Sequence, residues 1–142
     1  AERTVGTVSR MVPTPDGGLL VGGNFSRIAN AQPPAVRVNL LKLTSTGAFD
    51  PAFSLNIFEG SVSTMARSAG HIYVGGNFGQ VSGNSSGFNL MRLDNALQVD
   101  TTWVPAPNST VNSLAIDEAT QTLLVGGSFT QIGGQARNRL AE

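Results

Sequence analysis

The chain has 142 residues, with nine basic and nine acidic side chains in balance and no cysteine. That length supports one domain with a buried core, and a hydrophobic content of 40% fits a folded chain rather than a disordered one. Charge neutrality removes the electrostatic pull toward nucleic acid or anionic lipid, and the cysteine count excludes disulfides, thiolate metal sites and a cysteine nucleophile.

In chain order, short apolar segments separated by turn residues recur three times. "VSRM" (8–11) is the first predicted strand, and the turn "TPDGG" (14–18) leads into a second strand containing "VGGNF" (21–25). After "ANAQPPAV" (29–36), "LLKL" (40–43) is the third strand, and a fourth segment, introduced by Asp50, ends at Phe53. The second copy runs through "VSTM" (62–65), the turn "SAG" (68–70), "HIYVGGNF" (71–78), "LMRL" (90–93) and a segment from Asp100 to Trp103. The third passes "VNSL" (111–114) and "VGGSF" (125–129) and reaches Leu140, Ala141 and Glu142. These runs are rich in β-branched and aromatic types and too short for helices. No apolar run is long enough to span a membrane. The units are about 1–57, 58–107 and an incomplete 108–142.

Units of about 50 residues with four short strands each predict an all-β, β-propeller-type fold. The second strand is apolar on both faces because each blade is covered by a neighbour on either side. Glycine weakens a strand interior, so the repeated pairs Gly22-Gly23, Gly75-Gly76 and Gly126-Gly127 need a geometric reason. Clearance between converging blades, or a β-bulge, supplies it. Phe25, Phe78 and Phe129 are expected to fill the wedge between blades. Propellers close with about four to eight blades, and this chain encodes about three. The incomplete ring must therefore close by oligomerisation or with missing repeats. A homo-oligomer is expected, a dimer giving six blades, with an open filament as the other product of the same contact.

The stretches "DGGLLVGGNF" (16–25) and "LLKLTSTGAFDPAF" (40–53) resemble the delta-60 repeat, a bacterial propeller-type unit. Its pattern is a Gly-Gly-Asn-Phe strand, an Arg-Leu-Asn-x-Asp-Gly strand pair and an Asp-x-x-Phe end. The likeness covers nearly the whole chain, with Asn95-Ala96-Leu97 standing where the pattern has a glycine turn. The resemblance implies a large secreted or surface-exposed bacterial protein and brings no common chemistry with it.

The residues themselves point away from catalysis. His71 is the sole histidine and opens a strand beside a glycine turn, without a recurring serine or aspartate partner. The acidic residues never take the spacing of a calcium loop, and Asp50 and Asp100 sit at repeated turns as caps. No helix follows the glycine pairs, so they are not a phosphate loop. No metal and no cofactor is expected. Arg27, Gln80 and Gln131 each follow the repeated phenylalanine by two positions, which makes them candidate binding residues, one per blade. Trp103 aligns with Phe53 and is expected to be an inter-blade wedge. The expected role is a non-enzymatic module for binding or self-assembly in a secreted or surface-exposed bacterial or phage protein. The alternative is a lectin-like domain with a glycan pocket around each of Arg27, Gln80 and Gln131. A glycan or another surface protein would then join the second copy as partner.

Overall fold

The computed structural model describes residues 3–29, 38–79, 81–82 and 88–142. Among them every regular element is a β-strand, and each sheet is antiparallel. The first sheet pairs β1 (Arg3–Pro13), β2 (Leu19–Ala29) and β3 (Leu40–Leu43). The second pairs β4 (Gly60–Arg67), β5 (Ile72–Phe78) and β6 (Leu90–Leu93). The third joins β7 (Val111–Asp117) and β8 (Thr122–Gly127) to β11 (Leu140–Ala141). Between β8 and β11 the chain forms a two-stranded ribbon of β9 (Gln131–Ile132) and β10 (Gln135–Ala136).

The repeat seen in sequence holds at the level of register. Met11 faces Val21, Met65 faces Val74 and Leu114 faces Val125. A β-bulge falls at the same place in all three pairs, between Val8 and Arg10, Val62 and Thr64, and Val111 and Ser113. β4 packs on β1 and β2, and β7 packs on β4 and β5, so the sheets stack as successive blades of an incomplete propeller. None of the sheets closes a ring.

Alternation along β2 and β5 sends side chains to both blade faces. Val12, Leu20, Leu40 and Phe53 of the first blade meet Val62, Met65, Val74, Phe78 and Met91 of the second in the largest core. Leu90 of the second blade meets Val111, Val125 and Phe129 of the third in a smaller one. Val21, Phe25, Leu41 and Phe49 form a further cluster on the opposite face of the first sheet. Phe25, Phe78 and Phe129 are all buried; Phe78 and Phe129 lie between blades as expected of wedges, whereas Phe25 is buried among residues of its own blade.

In the first two pairs the two glycines serve different contacts. A Cβ on Gly22 or Gly75 would lie 2.6 Å from Cγ1 of Val62 or Val111 in the following blade. On Gly23, Gly76 or Gly127 it would instead fall on the carbonyl oxygen of Thr7, Ser61 or Thr110 across the bulge of the same sheet. Clearance and bulge are therefore both realised, by successive residues.

In the first two blades the fourth strand is reduced to one bridge, Leu43 with Phe49 and Leu93 with Val99, so their sheets are three-stranded. Asp50 and Asp100 supply the cause. Each Oδ1 accepts a hydrogen bond from the backbone N–H two residues on, Ala52 or Thr102, at 3.0 Å. These Asx turns bend the chain directly after the bridge and end the extended backbone.

Candidate functional site

Only one of the three residues proposed from sequence can be placed with its surroundings. Arg27 lies on β2, its backbone opposite Val5, and Gln80 lies outside the described residues. Gln131 begins β9 and is exposed. Its backbone N–H donates to Asn108 Oδ1 at 3.1 Å, and its carbonyl accepts from the Asn108 N–H at 3.1 Å. Gln131 is thus fixed by a tie to the chain entering the third blade.

The sequence reading missed the residue that comes before each third strand. Asn39 and Asn89 have left-handed backbone, φ 64° and 60°. Asn39 Oδ1 accepts the Phe25 N–H at 2.9 Å, and its Nδ2 donates to the carbonyls of Ile57 at 2.9 Å and Gly60 at 2.8 Å. Asn89 repeats this, accepting the Phe78 N–H at 3.1 Å and donating to the Pro107 carbonyl at 3.2 Å. Each asparagine joins the wedge phenylalanine of its own blade to the segment entering the next. Asparagine tolerates the left-handed region better than other residues with a Cβ. The signal was an Asn before Leu-Leu and Leu-Met at matching repeat positions, with Arg139 in the third copy.

Two groups of ion pairs lie on the third strands of the first two blades. Lys42 Nζ on β3 binds Asp50 Oδ2 at 2.8 Å and also Asp16. Arg92 on β6 binds Asp100 through Nε at 3.0 Å and through its terminal nitrogen. Hydrogen bonds from Lys42 hold the Asp16 and Asp50 carboxyls below the usual range. At Asp100 the Thr102 hydroxyl is the main cause and Arg92 the next. Asp117 is lowered by the backbone N–H groups of Ala119 and Thr120.

Beside this pair the second and third blades leave an open groove of about 530 Å³. Tyr73, Trp103, Gln121, Gln135, Arg137 and Glu142 are among the residues that line it. Trp103 is half-buried, where its counterpart Phe53 is buried. The Arg92 guanidinium lies 5.1 Å from the indole centroid, and Tyr73 meets the indole edge-on at 5.5 Å. Asp100 orients Arg92 and Arg92 holds the indole, so Trp103 packs partly against the core and partly walls the groove. His71 sits at the far end of this row, its ring 6.2 Å from that of Tyr73. A fixed aromatic surface flanked by Arg137 and Glu142 can stack a flat or polyhydroxylated group and hydrogen-bond its edges.

No curated protein and no solved structure matches the chain. The family described as "Domain of unknown function (DUF5122) beta-propeller" matches residues 14–53, 69–102 and 122–142, and each matched stretch contains the second and third strands of one blade. With most of its length so matched, in a stack of three antiparallel blades, this chain belongs to the DUF5122 β-propeller family.

Proposed function

We propose that this chain is a non-catalytic propeller-repeat module of the delta-60 kind, used for binding or self-assembly in a secreted or surface-exposed bacterial or phage protein. One observation carries the reading: among the described residues, the carboxyls with displaced acidity are all displaced downward. Lys42 holds Asp16 and Asp50 ionised, the Thr102 hydroxyl and then Arg92 hold Asp100, and turn N–H groups hold Asp117. A general acid or base working near neutral pH needs the opposite displacement. These groups build turns and join strands. The secreted or surface placement rests on the resemblance of the repeats alone. Incubation with a panel of ester, glycoside, peptide and phosphate substrates tests the non-catalytic reading, and turnover abolished by His71→Ala would overturn it.

A glycan-binding role is the second reading, favoured by the half-exposed Trp103 beside Arg137 and Glu142. It places one sugar in the groove between the second and third blades. Titration with simple sugars separates this from pockets at Arg27, Gln80 and Gln131. Binding lost in Trp103→Ala supports the groove, and binding lost in Gln80→Ala supports one pocket per blade.

A further inference from the structure

Two open pockets lie at the same end of successive blades, where β1 and β4 begin and β2 and β5 end. The pocket of the first blade measures about 470 Å³ and that of the second about 360 Å³. Equivalent residues line both: Asn24, Phe25 and Asn39 in the first, Asn77, Phe78 and Asn89 in the second. Phe25 and Phe78 are buried beneath them. Asn24 and Asn77 are exposed, although every other position of β5 is buried.

Each pocket also has one exposed ring, Phe58 at 56% in the first and Phe88 at 46% in the second. A single phenylalanine on a surface is ordinary. These two are each fixed beside a cavity, and they reach it by different routes. Phe88 directly precedes Asn89, whereas Phe58 belongs to the segment leading into β4. Val38 stands before Asn39 where Phe88 stands before Asn89, so the repeat pattern alone does not supply the rings. Backbone bonds hold both segments. The Ile57 N–H donates to the Val38 carbonyl at 3.0 Å, and the Ile57 and Gly60 carbonyls accept from the Asn39 amide, which anchors the chain on either side of Phe58. The Phe88 carbonyl accepts the Leu90 N–H at 2.7 Å, and the Asn89 N–H donates to the Phe78 carbonyl at 3.0 Å. Groups already held in place lose little conformational entropy on binding.

The lining decides what fits. Among the described residues none that line the first pocket is charged, and Thr7, Asn24 and Ser26 set hydroxyl and amide groups around Phe58. In the second, Glu59 is the one charged side chain described, beside Asn77 and Phe88. An anion would be repelled by Glu59, and a cation would find no counter-charge in the first pocket. The ligand suited to both is uncharged, with a flat apolar face to lie on a ring and hydroxyls at its edge for amide, hydroxyl and carboxylate partners. A pyranose has this chemistry, and a polymer of them can meet both pockets at once.

We propose that these pockets bind a neutral polysaccharide, one sugar ring stacked on Phe58 and another on Phe88 of the same chain. This deepens the binding role proposed above, on which it rests, and puts the glycan at a site other than the Trp103 groove. Two weak sites engaged by one polymer multiply its affinity without any new contact.

Titration of the full chain with dextran, mannan, galactan and xyloglucan, read from the side-chain amide NMR signals of Asn24 and Asn77, tests it. At least one of these polymers should shift both signals. Phe58→Ala and Phe88→Ala should each weaken its binding about a hundredfold, the gain that linking two sites supplies, and the double variant should abolish it. Both rings are exposed, so circular dichroism should show the parent fold in each variant. Phe58→Tyr and Phe88→Tyr should keep binding, since the ring remains, and Trp103→Ala should leave it unchanged. Binding by none of these polymers, binding retained in the double variant, or tighter binding of the polyanion hyaluronan overturns the inference. Binding lost only in Trp103→Ala overturns it too and moves the glycan to the groove. Failure at these pockets would leave the non-catalytic reading to its substrate panel, and turnover in that panel would not alter the titration.

Discussion

Gly75 and Gly76 are neighbours in sequence, yet an added methyl group meets different obstacles. At Gly75 it presses on the Val111 side chain of the next blade, and at Gly76 on the Ser61 backbone oxygen of its own sheet. Overpacking of this kind costs about 1–3 kcal/mol or more. Gly75→Ala should be partly rescued by Val111→Ala, whereas Gly76→Ala should not be, because backbone cannot be trimmed. Urea unfolding of the singles and doubles measures the coupling. Phe78→Ala should cost about 3–5 kcal/mol as a large-to-small change in the main core. Asn39→Ala leaves the buried Phe25 N–H and two carbonyl groups without their side-chain partner. A loss of about 1–3 kcal/mol is expected for orphaned buried groups. Asn39→Gly should lose nearly as much if the side-chain bonds dominate, and much less if the left-handed backbone does.

At the scale of the element, the turn after each third strand shows how one geometry is met by different residues. Gly47 has φ 82° in the first blade, and Leu97 takes the equivalent position in the second at φ 59°. Left-handed backbone costs a residue with a Cβ roughly 1–2 kcal/mol, and burying a leucine contributes about 1.5–3 kcal/mol. Leu97 is buried in the main core, so packing offsets the strain. The aspartates after these turns make the fold sensitive to acid. The Asp100 carboxyl is held below its ordinary value in the folded state, by Thr102 first and Arg92 next. Its stabilisation is therefore complete above the unfolded value of about 3.9 and is lost as pH falls toward the folded one. Asp100→Asn should lower the melting temperature at neutral pH, and the gap to the parent should narrow in strong acid. Thermal melts across that range decide it, and a gap that stays constant would remove the carboxylate from the account.

Across the whole molecule the two blade interfaces are unequal. β5 is buried at nearly every position, whereas β8 is mostly half-buried. In a linear stack each blade is stabilised by its neighbours, so the third, with one small core, should open first. Hydrogen exchange should show amides of β7 and β8 exchanging ahead of those of β4 and β5. Equal exchange in the second and third sheets would contradict the ranking.

The repeat, the all-β class and the burial of Phe25, Phe78 and Phe129 were legible in the sequence because each is a local pattern repeated in register. A period near 50 residues and apolar second strands with paired glycines require no knowledge of long-range contacts. The shortened fourth strands were not legible, because Asp50 and Asp100 mark a turn without saying how much strand survives beside it. Nor were the roles of Asn39 and Asn89, whose partners lie up to 21 residues away. The candidate groove was legible only as single residues: Trp103 aligned with Phe53, and its exposure depends on what the neighbouring blade lays against it. Strand content follows from the order of side chains along the chain. Which glycine meets a valine and which face stays open depend on the stacking of blades, and that was decided only in tertiary structure.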